Sequence, residues 1–214
     1  MNISLGATHA PLTKLVTTAI RERIMSGDIA VGARLVEGRL SEQLGVSRMP
    51  VREALRELAA EGIVTIEPRR GASVTAFTEE QTRELVEVRA TLEALNAKLA
   101  AKHHEPKHIA RLQRILEEGQ RLGESEDASR IVSMNARFHD ALATISGNSI
   151  LQDMIRQLRD RTALLFASVS RVRVRQNWQE HAAILRAVID GDVELAGLLA
   201  ARHVYNAAQI AQDP

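Results

Sequence analysis

Three histidines and an asparagine have the residue types and spacing that suit metal binding in this 214-residue sequence. His139, His181 and His203 each fall in the middle of a separate predicted helix, close to its apolar stripe. If those helices pack together, three neutral imidazoles converge and can bind a divalent transition metal. Asn135 lies four residues before His139, so it shares that helix face and can add an oxygen ligand. The alternative is three unrelated histidines at helix edges, each hydrogen-bonded to backbone or water.

A row of arginines is the second feature with a recognisable chemistry. Arg48, Arg52 and Arg56 follow one another at every fourth position, which places them on one side of a helix beside its apolar stripe. A guanidinium can bond the O6 and N7 atoms of guanine or clamp a phosphate. The pattern favours a DNA-reading helix, and the alternative is a solvated helix face.

The arginine row belongs to a series of short predicted elements. Helices are predicted over residues 12–25 and 35–44, and a third helix is capped by Ser47 and ended by Gly62. The expected buried positions of the first helix are Leu15, Ala19, Ile20 and Ile24. This order of two helices, a tight turn and a cationic helix is typical of a helix-turn-helix.

Two predicted strands, over residues 63–66 and 72–75, follow the third helix. The turn between them, residues 68–71, carries Arg69 and Arg70 at its tip. Such a basic hairpin can reach the DNA backbone or the minor groove beside a recognition helix. Residues 1–76 are therefore predicted to form a winged helix-turn-helix.

Residues 28–76 resemble the DNA-binding domain of the GntR family of bacterial transcription regulators. Residues 45–58 read GVSRMPVREALREL, similar to that family's GVSR-x-PVREAL-x-x-L signature, and residues 69–74 resemble its RGA-x-V wing. The resemblance implies DNA contacts from Ser47, Arg48, Arg52, Arg70 and Gly71. Members often carry a further basic residue where this sequence has Gly38, and the adjacent Arg39 is the candidate to replace it.

The second half of the chain, residues 77–214, is predicted to form an antiparallel bundle of about six helices. The first begins with a capping box at Thr78 and Gln81 and extends to about residue 101. Its expected buried stripe is Leu85, Val88, Leu92, Leu95 and Leu99. The others are predicted over residues 106–122, 125–145 with Ser125 as its cap, 148–169, 174–189 and 192–211. The fold class is therefore mainly α.

Residues 79–211 resemble the all-helical FCD domain that follows the winged helix in FadR-type members of the family. The matching patterns are VR-x-x-LE at 88–93, N-x-x-FH at 135–139 and EH-x-x-I at 180–184. The resemblance implies a metal bound by Asn135, His139, His181 and His203, with asparagine where many members have aspartate. Zinc is the expected metal, with nickel and manganese as alternatives.

The same resemblance implies a small organic acid bound beside the metal. Arg89 takes the place of the family's cavity-facing arginine, although it could instead form a surface ion pair with Glu93, four residues on. Asn206 lies about one turn beyond His203, so it shares that face and is a second candidate for contact with the effector.

The composition limits the classes of protein and of site. The chain has no cysteine, which excludes disulfides, thiolate metal sites and cysteine nucleophiles. Aromatic residues make up only 2% of the sequence, which favours packed helices over sheets. There is no signal-peptide pattern and no apolar run near 20 residues, so we expect a cytoplasmic protein without a membrane partner.

These features favour a homodimeric, metabolite-responsive regulator that reads an inverted repeat in double-stranded DNA. A metal-dependent hydrolase is the alternative, because three histidines resemble a catalytic zinc centre. No general base is evident for it, since Asp140 and Glu180 directly adjoin histidines and are expected to point away from the metal. A third possibility is a helical interaction module that a metal holds together.

Overall fold

A computed structural model describes residues 12–103, 105–122, 128–164 and 171–210. The chain divides into two compact units between Thr78 and Glu79, two residues beyond the expected boundary. The first unit contains α1 (Leu12–Met25), β1 (Arg34–Leu35), α2 (Glu37–Leu44), α3 (Arg48–Ala60), β2 (Val64–Glu67) and β3 (Gly71–Val74). The second contains α4 (Glu79–Lys102), α5 (Pro106–Leu122), α6 (Ala128–Ser146), α7 (Ser149–Ala163), α8 (Arg171–Ile189) and α9 (Val193–Ile210). The prediction of a mainly α fold is confirmed. Across the described helices, none is both long and apolar enough to cross a membrane.

The first unit has a core between α1 and α3. Val16, Ile20 and Ile24 of α1 are buried there, whereas Leu15 is 60% exposed. The expected stripe was therefore wrong at Leu15. The buried face includes a polar residue instead: Thr17 is buried and donates a hydrogen bond from its hydroxyl to Glu57 Oε2 of α3 over 2.6 Å.

A three-stranded antiparallel sheet forms the wing, in the order β1-β3-β2. The predicted hairpin is confirmed. Strand β2 begins and ends one residue later than predicted, and β3 begins and ends one residue earlier. Strand β1 was missed because two residues are too few to show an alternating pattern. Leu35, expected to start a helix, lies in β1 and is buried, and α2 begins at Glu37.

In the second unit α4 packs against α6, α7, α8 and α9, while α5 packs against α6 and α8. The six helices predicted for this half are present. Helix α7 ends at Ala163, short of the expected residue 169, and α8 begins at Arg171 rather than near residue 174. The expected cap Ser125 lies outside the described residues.

The inner face of α4 differs from the predicted leucine stripe. Val88 and Leu95 are 51% and 43% exposed, while Arg89, Glu93 and Asn96 are buried. Four alanines share the buried side of this helix: Ala90, Ala97, Ala100 and Ala101. Small side chains let four neighbouring helices approach α4 closely, so the long apolar side chains are displaced toward its outer surface.

A close approach of α5 and α8 holds the indole ring of Trp178 in place. A Cβ atom at Gly119 of α5 would lie 1.7 Å from a carbon of that ring, so only glycine fits. Trp178 is the chain's only tryptophan, and its ring centroid is 6.3 Å from that of His181. The contact therefore positions the part of α8 that carries His181.

Candidate functional site

Helix α3 presents the predicted DNA-reading residues. Ser47 occupies its N-cap with an extended backbone (φ −71°, ψ 166°), but its side chain makes no capping hydrogen bond. Ser47, Arg48, Arg52 and Arg56 are exposed, while Val51, Ala54, Leu55 and Leu58 bury the opposite side of the helix. The arrangement leaves the arginine row on the accessible face of this unit.

Arg52 is held by a carboxylate that the sequence analysis did not single out. Its Nε donates to Glu37 Oε1 over 2.9 Å, and its Nη2 donates to Glu37 Oε2 over 2.8 Å. The hydrogen bond from Arg52 lowers the pKa of Glu37, despite a small opposing effect of burial. Both groups are thus charged at neutral pH, and the guanidinium plane has a defined orientation before any DNA is present.

The guanidinium of Arg48 lies over Gly38 of α2. A Cβ atom built at Gly38 would be 3.6 Å from Arg48 Nη2, in ordinary van der Waals contact. The position where relatives often carry a basic residue is therefore next to an arginine from α3. Arg39 is exposed on α2, and its role as a replacement stays a prediction.

The wing brings two further groups to this face. Arg70 is exposed at the hairpin tip and donates to Glu67 Oε2 over 3.3 Å, and Gly71 has a φ of +85° that favours glycine. A concave surface of about 740 Å³ between α3 and the wing is lined by Arg34, Arg52, Arg56 and Gly71, among others. Arg34 was missed because it lies in β1, the strand that the sequence pattern did not predict.

The three histidines meet inside the second unit. His139 of α6, His181 of α8 and His203 of α9 are all buried. The ring centroids of His139 and His181 are 5.2 Å apart, and those of His181 and His203 are 4.5 Å apart. The Nε2 atoms of His181 and His203 are separated by 3.1 Å. Two nitrogens bound to one tetrahedral zinc ion lie about 3.3 Å apart, so this pair has nearly the required spacing.

The protonation state of the cluster also suits a metal. Burial lowers the pKa of His139 and of His181 well below its usual value, and neighbouring cationic groups lower it further. Both rings are therefore neutral at pH 7, as metal ligands must be. His139 Nδ1 is buried without a hydrogen-bond partner. Within the described residues no three histidine or carboxylate groups are arranged as a metal shell.

The carboxylate of Glu180 bonds the outer nitrogen of one histidine of the cluster. Glu180 Oε2 accepts a hydrogen bond from His203 Nδ1 over 2.5 Å, and Glu180 Oε1 accepts one from the side chain of Asn206 over 2.8 Å. Glu180 was expected to point away from the metal, and it bonds the nitrogen of His203 that faces away from His181, across the contact between α8 and α9. A carboxylate on the far nitrogen of a histidine directs the near nitrogen toward a metal. Asn206 contacts the cluster through Glu180.

Asn135 differs from the three histidines in its exposure. It lies one turn before His139 on α6 and is exposed to solvent, whereas the histidines are buried. The structure therefore places three predicted ligands together and the fourth at a more accessible position on the same helix.

A second cluster of buried polar side chains lies around Arg89. Its Nη1 donates to Thr162 Oγ1 over 2.6 Å, while its Nε lies 3.7 Å from Glu93 Oε1, too far for a hydrogen bond, and has no partner. Arg159 donates to both oxygens of Glu93 over 2.8 and 3.1 Å. The alternative of an ion pair between Arg89 and Glu93 is present, but the pair is buried rather than at the surface.

The charges around Arg89 favour an anion. Burial lowers the pKa of Arg89 to about 10, so the guanidinium stays charged at neutral pH. Burial acts to raise the pKa of Glu93, but Arg159 and Arg89 together lower it below its usual value. Two cations thus share one buried carboxylate. After burial, the charges of Arg159 and Arg89 are the next causes that lower the pKa of His139.

His103 and His108 make their contacts away from the cluster. His103 is exposed, as expected, but its Nδ1 also lies 2.7 Å from the carbonyl oxygen of Ile145, near the start of the connection to α7. His108 Nδ1 lies 3.5 Å from the carbonyl oxygen of His103. His104, expected in solvent with them, lies outside the described residues.

Both halves of the chain match known families. Residues 12–74 match the family of bacterial regulatory proteins named gntR, and residues 84–206 match the FCD domain. The HTH-type transcriptional regulator McbR of Escherichia coli K12 is 30% identical over 190 residues, covering 87% of this chain and 86% of that one. The gluconate operon transcriptional repressor of Bacillus subtilis is 31% identical over 170 residues, covering 79% and 70% of the two chains.

Solved structures agree with the sequence relatives. The structure of Escherichia coli McbR/YncC superposes with a TM-score of 0.75 at 28% identity, covering 95% of this chain and 98% of that one. These relatives are named as transcription regulators, and the hydrolase alternative finds no support among them. With both halves matched in order, the chain belongs to the GntR family of bacterial regulatory proteins, carries an FCD domain behind its winged helix, and is a DNA-binding transcription regulator rather than an enzyme.

Proposed function

We propose that this regulator binds a small organic acid beside a divalent metal in the second unit, and that this binding changes its affinity for an inverted-repeat operator. The observation that carries the proposal is a pair of buried groups in one helical unit: the three histidines, and the Arg89 guanidinium, whose Nε has no hydrogen-bond partner. A carboxylate between a metal and a guanidinium satisfies both.

The residues present fit a metal. His139, His181 and His203 would hold it, with Asn135 as the fourth candidate, and Glu180 would orient His203. Zinc is the first candidate because neutral imidazole nitrogens suit it, and nickel or manganese are the alternatives. When bound, the metal would supply a fixed positive charge and open coordination positions for the acid.

The charge of the site and the name of one relative agree with an organic acid. Arg89, Arg159 and Thr162 leave a net positive charge in a water-poor interior, where an anion gains most from pairing. The Bacillus subtilis relative is named for the gluconate operon, and gluconate is a carboxylate. The operator affinity changes only if the acid binds one state of the regulator better than another.

A homodimer accounts for the exposed apolar side chains of α4 and α9. Val88 and Leu95 are exposed on one face of α4, seven residues apart, and Leu195 and Leu198 are exposed on α9. A second copy that covers this patch would remove it from water and place two winged helices on a two-fold axis. Such a dimer reads an inverted repeat.

A binding selection tests the regulatory part directly. Purified, zinc-loaded protein is incubated with sheared genomic DNA near physiological salt, which suppresses purely electrostatic binding. Enrichment of a short inverted repeat is expected, with weaker or stronger retention after an organic acid is added. If none of a panel of organic acids changes the enrichment, the effector proposal is contradicted. Enrichment of a single half-site by a monomer would contradict the dimer.

A further inference from the structure

Asn96 of α4 is a buried amide with no hydrogen bond. Its side chain is 1% exposed, and neither Oδ1 nor Nδ2 has a partner. A buried polar group in this condition costs free energy that an apolar side chain of similar size would not. Asn96 also lies in the middle of α4, so it caps neither end of the helix. Its presence therefore needs a cause other than the packing of the helices.

The position of Asn96 relates it to the proposed effector site. It follows Arg89 by seven residues and Glu93 by three, so the three polar side chains lie along one side of α4. That side is buried against helices which include α6, α8 and α9, the carriers of the three histidines. The next residue along the row, Ala100, offers no polar atom. The amide is thus the last polar group of a row that begins at Arg89.

We propose that Asn96 binds a hydroxyl group of the effector, and that the effector is an elongated hydroxycarboxylate whose acid group pairs with Arg89. This inference rests on the effector site described under the proposed function. The amide oxygen accepts and the amide NH2 donates, and a hydroxyl can do either, so neighbouring hydroxyls of one effector can pair with both Oδ1 and Nδ2. Arg89 and Asn96 are about 10 Å apart along the helix axis, which a two-carbon acid is too short to span.

The first part of the test uses metal-free protein without any ligand. Asn96→Leu replaces the amide by an apolar side chain of similar volume, and Thr91→Leu makes a comparable change on the exposed face of α4. Asn96→Leu is expected to raise the melting temperature by about 2–6 °C over that of the wild type and of Thr91→Leu. A lower melting temperature would show that Asn96 has a structural partner, such as a buried water, and would overturn the proposal.

The second part measures binding to the zinc-loaded protein by calorimetry and by Trp178 fluorescence. D-Gluconate and hexanoate are the probes, because both have a carboxylate on six carbons and only gluconate carries hydroxyls. The wild type is expected to prefer gluconate at least tenfold. Asn96→Leu is expected to lose that preference, and so is Asn96→Ala, which avoids added bulk. A wild type that binds neither probe, or both equally, would overturn the hydroxycarboxylate assignment.

Two outcomes separate this inference from the function on which it rests. If Arg89→Ala abolishes gluconate binding while both Asn96 variants keep the wild-type preference, the effector site stands and the role of Asn96 is wrong. If Arg89→Ala leaves gluconate binding unchanged, the proposed effector site itself is wrong.

Discussion

Arg52 of α3 and Glu37 of α2 form a two-point ion pair, with N–O distances of 2.9 and 2.8 Å, on the face that carries the recognition arginines. The pair joins the two helices of the helix-turn-helix at an exposed site. The carboxylate orients the guanidinium, and it would compete with DNA for Arg52 if that side chain is the predicted DNA contact. Replacing Arg52 and replacing Glu37 are therefore expected to change DNA binding in different ways.

Replacing Arg52 should weaken binding to the selected operator. We expect Arg52→Ala to lower specific affinity roughly ten- to a hundredfold, because a guanidinium that reads a base contributes that much discrimination. Arg23→Ala is the matched control. It also removes one positive charge from this unit, and Arg23 is paired with Asp28 as Arg52 is paired with Glu37. Fluorescence anisotropy with operator and scrambled duplexes measures both. If Arg52→Ala binds the operator as tightly as the control variant does, this side chain reads no base.

Replacing Glu37 should have a different effect. Glu37→Gln removes a negative charge from the DNA-facing surface and releases Arg52 from its two-point contact. We expect binding to scrambled DNA to tighten a few-fold while the preference for the operator declines. Glu53→Gln is the control, because Glu53 is an exposed carboxylate bonded to Thr13 in the same unit. An unchanged preference would mean that Glu37 does not orient Arg52 for reading.

A carboxylate at position 135 should strengthen metal binding. Asn135→Asp offers a charged oxygen one turn from His139, and we expect zinc affinity to rise roughly tenfold. Ala136→Asp adds the same charge at the next exposed position and should change affinity little. Competition against a chromophoric chelator measures both constants. Equal gains in the two variants would indicate a general charge effect rather than a fourth ligand.

The metal-free protein should lose stability as the pH falls below about 6.5. Burial holds the pKa of His139 and of His181 well below the value in the unfolded chain. Below pH 6.5 the unfolded chain therefore takes up protons that the folded chain does not, and its free energy falls relative to the folded state. The expected slope is up to about 1.4 kcal/mol per pH unit for each histidine.

Urea unfolding with excess chelator, at pH 7.5 and pH 5.5, measures this loss. His139→Phe should reduce the slope, since it removes one of the two buried imidazoles. His108→Ala should leave the slope unchanged, because His108 lies at the start of α5, away from the cluster. A free energy of unfolding that stays level across this range would show that the two rings take up protons without unfolding.

Arg89 should determine the response to the effector. Arg89→Ala removes the guanidinium whose Nε has no partner and leaves Glu93 with Arg159, so the remaining buried carboxylate keeps a counter-ion. We expect zinc binding to persist and the effect of organic acids on operator binding to be lost. Arg159→Ala is the comparison, because it breaks the Glu93 pair directly and should lower the melting temperature more. A normal acid response in Arg89→Ala would place the effector elsewhere.

Much of the winged helix could be predicted because its signals are local. The spacing of Arg48, Arg52 and Arg56, the break at Gly45 and the glycine at the wing all depend on residues within a few positions of one another. The number of helices in the second half followed from caps and breakers in the same way. Strand β1 could not be predicted, since its pairing with Ala72 and Ser73 depends on residues almost forty positions away.

The buried face of α4 shows the limit of such patterns. Spacing alone indicated the leucines and valine as the buried stripe, because hydrophobic residues usually face a core. Val88 and Leu95 are exposed instead, while Arg89, Glu93 and Asn96 are buried. Two of these side chains are paired with residues of α7, Arg89 with Thr162 and Glu93 with Arg159, and such partners cannot be read from the sequence of α4 itself.

The sequence by itself determined the two-part organisation, and it predicted the arginine row and the three histidines as candidate sites, because periodicity, turn residues and residue type are local properties of the chain. Only the tertiary structure decided how those residues meet. It paired Arg52 with Glu37, turned Glu180 toward His203, and left Arg89 Nε, His139 Nδ1 and the Asn96 amide without partners. These relationships join residues from different helices, and the packing of the helices sets the distances between them.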